Sequence, residues 1–472
     1  MKAKLLVLWR ALNQVSSSRL LSFSIGAIIT IRVLGLMVHP FFPVSSPHIW
    51  RQVDTMGVAL RYGLRWSVEK IDFSWWLPAI IDSASTRGIM PMEFPLLNVL
   101  GGLGFWIAGS NIDLGRSLAL FIAEFFTLSM GMLSYSIWRR TDAPRPFVVA
   151  ALLSPFMGFA ALFTGKFMPD VAAMLLVLGG TGLVWSGSWL AVILIGLGVL
   201  MKPTAVVTVF ILFLHSGLRE KFLAFAVKIG CGLMPAAGWY LAVVPWLKSR
   251  VETELAFTFH SGLKPWEGVW KFWTSGGVWE AIEFHSWFQG GLLLVLIAAF
   301  YSRSKTVALK SMLFTVGVLL LQGTAIGALS GDHCSMHAYY LMGLTPTAGL
   351  LLVETWELLP SHFWRMILAI GMALRSAEAS MFDMTGIWKA DSPPKLWASC
   401  KVLRERHREI PWHQGVDFRT TVEEYPILGL CLGEKSESPT GTHGLFRKGE
   451  PLPNGCRQTD EEQGLVLAQC DH

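Results

Sequence analysis

An all-helical, multi-pass membrane protein with a small polar tail is the architecture this sequence predicts, and three observations predict it. Of 472 residues, 53% are hydrophobic and only 15% are charged, against about 25% charged in soluble domains. Apolar runs of ~17–25 residues, long enough to cross a bilayer as helices, recur almost to the end of the chain. The backbone of such runs must satisfy its own hydrogen bonds in lipid, which makes them helical, and the short alternating segments of a β-barrel are absent. The net charge of +6 does not indicate nucleic acid as a partner, because much of the excess lies in short loops, where it orients a membrane protein. No Walker loop, dinucleotide fingerprint or cleavable signal peptide stands out.

The elements follow in order. Lys2, Lys4, Arg10 and Arg19 precede a first span at about 20–38 and place the N-terminus in the cytoplasm. A long Trp-rich loop, 39–115, comes next. Its apolar stretch from Phe94 to Ala108 is marginal in length and rich in Gly, and is expected to lie in the membrane interface. Further spans fall at about 116–138, 147–165, 171–186, 189–201, 203–217, 222–246, 287–302, 307–328, 338–355 and 363–379, which makes about eleven in all. Basic clusters at Arg139-Arg140 with Arg145, at Arg219 with Lys221, at Arg303 with Lys305, and at Arg365 then all face the cytoplasm. Arg375 and Glu378 interrupt the last span. Residues 1–379 therefore read as the membrane domain and 380–472 as a small extracytoplasmic α/β domain. That tail is polar, carries Pro393-Pro394, and holds Cys400, Cys431, Cys456 and Cys470. Four cysteines in such a tail suggest two disulfides, with three pairings open.

This topology gathers unusual polar groups on the outer face. The first loop supplies His48, Arg51, Asp54, Arg87 and Glu93, and the Gly-Lys-Phe-Met-Pro-Asp segment supplies Lys166 and Asp170. A tight turn supplies Lys202, and the segment near residue 332 supplies Asp332, His333, His337, Tyr339 and Tyr340. Ionisable residues at membrane depth are costly and point to function. Plainer roles compete for several of them. Asp170 could be a helix N-cap, Lys202 a snorkelling lysine, Arg87 a solvated loop charge, and His337 with its tyrosines an interfacial aromatic belt. Asp54, beside Trp50 and Arg51, is the strongest functional candidate.

The chemistry these groups suit is narrow. An outward-facing carboxylate can act as general base toward an acceptor hydroxyl. Cations such as Lys202 and Arg51 can hold a phosphate leaving group. First-loop aromatics can stack on a sugar ring, and an apolar groove between spans can hold a lipid tail. Together they describe transfer of a sugar from a lipid phosphate.

The segments HIWRQVDT at 48–55, MEFPLLN at 92–98, FMPD at 167–170, the Lys202-Pro203-Thr204 turn and HAYYLMGLTP at 337–346 resemble the GT-C membrane glycosyltransferases that use polyprenyl-phosphate sugars. Over roughly residues 15–355 the chain looks closest to the bacterial branch of the lipid A aminoarabinose transferase and the lipopolysaccharide-core galacturonosyltransferases. The resemblance implies a GT-C fold, a bacterial inner-membrane location with the active site toward the periplasm, and an inverting displacement at the anomeric carbon. It assigns Asp54 as general base, with Asp170 and Glu93 as further acidic positions. His337, Tyr339 and Tyr340 would line the donor pocket together with His48. One departure stands out: relatives carry a phosphate-binding Lys directly before the proline, where this chain has Phe94. The phosphate then falls to Lys202, Arg51 or Arg87, and aminoarabinose is not the expected sugar.

Some relatives use a divalent metal, so Mg or Mn bridging Asp54 and Asp170 is one expectation, although no Asp-x-Asp or Glu-x-x-His arrangement is present. The implied partners are a polyprenyl-phosphate sugar donor, an envelope lipid, polysaccharide or protein acceptor, and the bilayer. The rival from another class is a transporter or flippase of lipid-linked substrates. It would use the same charged residues without chemistry, but the halves show no internal repeat.

Overall fold

The computed structural model describes residues 17–38, 49–66, 78, 92–109, 111–157, 160–249, 264–276, 278–279, 295, 297–301, 306–331, 338–385, 399–400, 402–403, 405–407, 416–419, 443–449, 451–452, 455–462 and 465–470. The fold is largely helical, with a small sheet near the C-terminus. Among the described residues, four helices, Ser18–Met37, Asp113–Arg139, Leu218–Leu247 and Leu309–Ser330, are long and apolar enough to cross a membrane. Large side chains on them, such as Phe23, Phe125, Leu223, Met234 and Leu313, stay exposed, as lipid-facing positions must. This is a multi-pass membrane protein.

Several expected spans are built differently from a plain helix. The stretch 147–165 is a helix over Arg145–Leu153, a turn through Pro155, and a short helix Ala160–Phe163. Pro155 lacks the N–H that would continue the ladder, and the Thr164 hydroxyl donates to its carbonyl. Residues 203–217 form a 3₁₀ helix, Pro203–Leu214, and the 338–355 span begins as a second one, Ala338–Leu344, before the α-helix Thr345–Leu358. The helix Leu218–Gly238 contains Pro235 and opens into a π-helical turn, Trp239–Val243, before resuming at Val244–Lys248. The last helix, His362–Thr385, runs through Arg375 and Glu378 without a break.

The stretch expected at the interface is a helix, Leu96–Ala108, of only 13 residues. At 1.5 Å per residue it is too short to span. Its glycines have a packing purpose. A Cβ on Gly101 would strike the Phe167 ring, one on Gly102 would meet Tyr62, and one on Gly104 would meet the backbone of Ala119. The helix thus nests between Ile49–Arg65 and Ile112–Arg139.

One buried charge ties the ends of the membrane region together. Arg32, within the first helix, is fully buried; its guanidinium donates to the Ala161 carbonyl at 2.6 Å and to the Ser380 hydroxyl at 3.2 Å. The first helix lies against the last, with Gly35 facing Ser380.

In the tail, β1 (Val416–Arg419) runs parallel to β2 (His443–Arg447), and β4 (Leu465–Cys470) pairs antiparallel with both β2 and β3 (Cys456–Glu462), giving the order β1-β2-β4-β3. Buried Cys400 and Leu403, in helical residues ahead of the sheet, are part of the core that includes Leu465 and Leu467. Cys400 and Cys456 are both disulfide-bonded, and Cys456 lies opposite Cys470 in the β3–β4 register.

Candidate active site

The site is organised by Lys202. It sits at the C-terminal cap of helix Ala191–Met201, and Pro203 after it disfavours helical backbone there. The chain turns out to an extended conformation, φ −154° and ψ 109°, and the side chain is buried rather than snorkelling. Its Nζ lies 2.8 Å from Glu93 Oε1 and 3.3 Å from Asp170 Oδ1. These three side chains are 2%, 8% and 0% exposed respectively, so the ion pairs are removed from solvent. Two aromatic faces cover the same ammonium, with the Tyr339 and Tyr340 ring centroids 4.8 and 4.9 Å from Nζ.

Each partner arrives for a local reason. Asp170 opens the helix Asp170–Trp185, where the positive end of the helix dipole favours a carboxylate. The N-cap position itself belongs to Pro169, with no side-chain cap, so Asp170 is not the capping residue its place in the sequence allowed. Glu93 lies two residues before Pro95, the cap of Leu96–Ala108. The tyrosines begin the 3₁₀ helix Ala338–Leu344, which runs beside Pro203–Leu214. A Cβ on Gly343 would crowd Val207 and the Thr204 carbonyl, and Gln322 donates to the Val207 carbonyl at 2.9 Å. Phe163 meets Tyr339 edge-on at 6.2 Å.

The backbone around Glu93 is fixed by groups the sequence reading did not single out. The Leu200 carbonyl, two residues before Lys202, accepts from Phe94 N–H at 3.1 Å and from the Tyr240 hydroxyl at 2.7 Å. Trp239 Nε1 donates to the Met92 carbonyl at 3.1 Å, and its ring stands edge-on to Phe94 at 5.1 Å. Both aromatics sit on the π-helical turn, which re-aims side chains that a regular helix would carry elsewhere. A proline four residues upstream was the available signal. Asn98, a lone amide in an apolar helix, donates to the Thr55 carbonyl at 2.6 Å.

That last bond ties the first loop in. Arg51 and Asp54 lie on the helix Ile49–Arg65, and the residue after Asp54 is bonded to the residue five beyond Glu93. Ala59 of the same helix also packs with Gly101 and Phe167. The segments carrying Asp54, Glu93, Asp170, Lys202 and Tyr339-Tyr340 therefore converge. The side chains of Arg51 and Asp54, and all of His48, Arg87, Asp332, His333 and His337, lie outside the described residues. Lys166 is described and is buried, its backbone N–H bonded to the Phe163 carbonyl.

No family model matches the sequence, and no curated protein matches it. Solved structures do. ArnT from Cupriavidus metallidurans in the apo state aligns with a TM-score of 0.55 at 11% identity, over 93% of this chain and 96% of that one. The same protein bound to undecaprenyl phosphate gives 0.54 at 10% identity, over 96% and 98%. The chain has the GT-C fold. The Archaeoglobus fulgidus oligosaccharyltransferase in the apo form aligns at 12% identity with a TM-score of 0.49, over 90% of this chain, which spans 64% of that one. The GT-C fold expected from the five segments is thus the fold observed.

Proposed function

We propose that this chain is an integral membrane glycosyltransferase that moves a sugar from a polyprenyl-phosphate donor to an acceptor of the bacterial envelope. The observation that carries this reading is the convergence just described. Five segments from distant parts of the chain, each bearing ionisable or aromatic side chains, meet in a membrane protein of GT-C fold. A GT-C neighbour solved with undecaprenyl phosphate supports a lipid-linked donor.

In this reading Asp54 is the general base that takes the proton of the acceptor hydroxyl as that oxygen attacks the anomeric carbon from the face opposite the phosphate, inverting it. Glu93 and Asp170 orient the acceptor from a carboxylate pair held by Lys202. With Lys202 ion-paired to both carboxylates, the leaving phosphate falls chiefly to Arg51 and Arg87, whose planar guanidinium groups suit bidentate contact with phosphate oxygens. His48, His337 and the tyrosines line the donor pocket. The site faces the periplasm across the inner membrane, and the disulfide-bonded Cys400 and Cys456 support an oxidising compartment for the tail.

The test is reconstitution in liposomes with envelope lipids containing polyprenyl-phosphate sugars. Wild type should release free polyprenyl phosphate and consume its sugar-bearing form, read by mass spectrometry. An Asp54→Asn protein, folded and inserted, should release none. Equal release by both would remove Asp54 as the base.

A further inference from the structure

The carboxylates of Glu93 and Asp170 form the kind of buried acidic pair that elsewhere collects a divalent cation. Mg and Mn take several oxygen ligands, and Asp170 was one of the two residues expected to share such an ion. The geometry between them is already used. Lys202 Nζ lies 2.8 Å from one carboxylate and 3.3 Å from the other. An ammonium has three N–H donors and no lone pair, so it can ligate nothing. A dication brought within coordinating distance of either carboxylate would also sit a few ångströms from a fixed positive charge in a site of low dielectric. The Tyr339 and Tyr340 faces cover the same ammonium, adding the attraction of two ring quadrupoles to its hold on this place.

We propose that Lys202 is the resident cation of this site. Its ammonium takes the place between Glu93 and Asp170 that a divalent metal would take, and the site is built to work without one. Lys202 is in this sense a positioning residue: it cancels the repulsion of two buried carboxylates and sets their separation. The inference deepens the transferase reading, but its test needs neither donor nor acceptor, so the two can fail separately.

The experiment titrates Mn²⁺ into the full-length purified protein and reads bound metal by electron paramagnetic resonance. Wild type should show no bound Mn²⁺ that is lost on Glu93→Gln substitution. Lys202→Met, which removes the charge and keeps the length, should gain a site at least roughly a hundredfold tighter than any in wild type. Adding Glu93→Gln to Lys202→Met should abolish it. Lys202→Arg, still cationic, should exclude Mn²⁺ as wild type does. A stoichiometric Mn²⁺ signal in wild type that disappears in Glu93→Gln would overturn the proposal. So would a folded Lys202→Met protein that binds no more Mn²⁺ than wild type. If Lys202→Met does not fold, the wild-type and Glu93→Gln comparison decides alone.

Discussion

The ammonium of Lys202 lies 2.8 Å from the carboxylate of Glu93, 109 positions earlier in the chain, and neither side chain is more than 8% exposed. A buried ion pair of this kind is poor evidence for net stabilisation, since desolvating both charges offsets much of their attraction. Its value is geometric. It locks the first-loop segment onto the end of helix Ala191–Met201, and the shared Leu200 carbonyl, bonded to Phe94 and Tyr240, locks it a second time.

Breaking the pair from one side should therefore be costly. Lys202→Met removes the ammonium that pairs with both buried carboxylates, and breaking a buried pair from one side costs about 3–5 kcal/mol. Adding Glu93→Gln should return a good part of that loss. A double-mutant cycle on unfolding in mild detergent checks it; strictly additive losses would mean the two side chains act independently.

Trp239→Phe and Tyr240→Phe each delete one donor and keep an aromatic ring. Each should cost only about 0.5–1.5 kcal/mol of stability. Transfer should fall further, by roughly ten- to a hundredfold, because the Met92–Phe94 backbone that presents Glu93 loses its fixed position. The readout is kcat on protein matched for folded fraction. Loss of activity no greater than loss of folded protein would reduce both residues to packing.

The tail should carry a Cys456–Cys470 disulfide, which leaves Cys431 or Cys334 as the partner of the bonded Cys400. Cys456 and Cys470 are directly opposed in the β3–β4 register, and directly opposed residues of an antiparallel pair have Cα atoms about 4.5–5.5 Å apart, within disulfide reach. Peptide mapping under non-reducing conditions reads the pairing. A Cys400–Cys470 or Cys400–Cys456 link would contradict it.

Acid should loosen the same sheet. The Asp460 carboxyl is held below the usual carboxylate range, first by its hydrogen bond with His407 at 2.9 Å and then by Arg406 beside it. A group whose folded pKa is depressed contributes stability that is present above its unfolded value and lost as pH falls through the folded one. Hydrogen exchange in β3 and β4 should therefore accelerate only below about pH 4. Asp460→Asn should remove that acid-dependent component, and an unchanged acid response in the variant would assign it to other groups.

The sequence made the buried ionisable side chains legible because charge in an apolar run is conspicuous. Glu93, Asp170 and Lys202 stand out for that reason, and Tyr339 and Tyr340 stand out beside His337. How they are held did not show. Asn98, Trp239 and Tyr240 are ordinary in composition, and their roles depend on partners 40 to 147 positions away. Arg32 was hidden inside an expected span although it is the buried link between Ala161 and Ser380. The two 3₁₀ helices and the π-helical turn share the apolar composition of α-helical spans, so hydropathy places them but cannot distinguish their winding. The short helix Leu96–Ala108 did declare itself through its length, while the glycines in it report close helix packing at Phe167, Tyr62 and Ala119.

The central claim is chemical transfer of a sugar dependent on Asp54, and cells test it most directly. Mass spectrometry of envelope lipids, polysaccharides and glycoproteins would compare a host carrying wild type with one carrying Asp54→Asn at equal protein levels. The account predicts that one glycan disappears in the variant while its polyprenyl-phosphate donor accumulates, which would name sugar and acceptor together. An unchanged glycan profile with normal amounts of inserted protein would contradict it and favour transport of a lipid-linked substrate without chemistry.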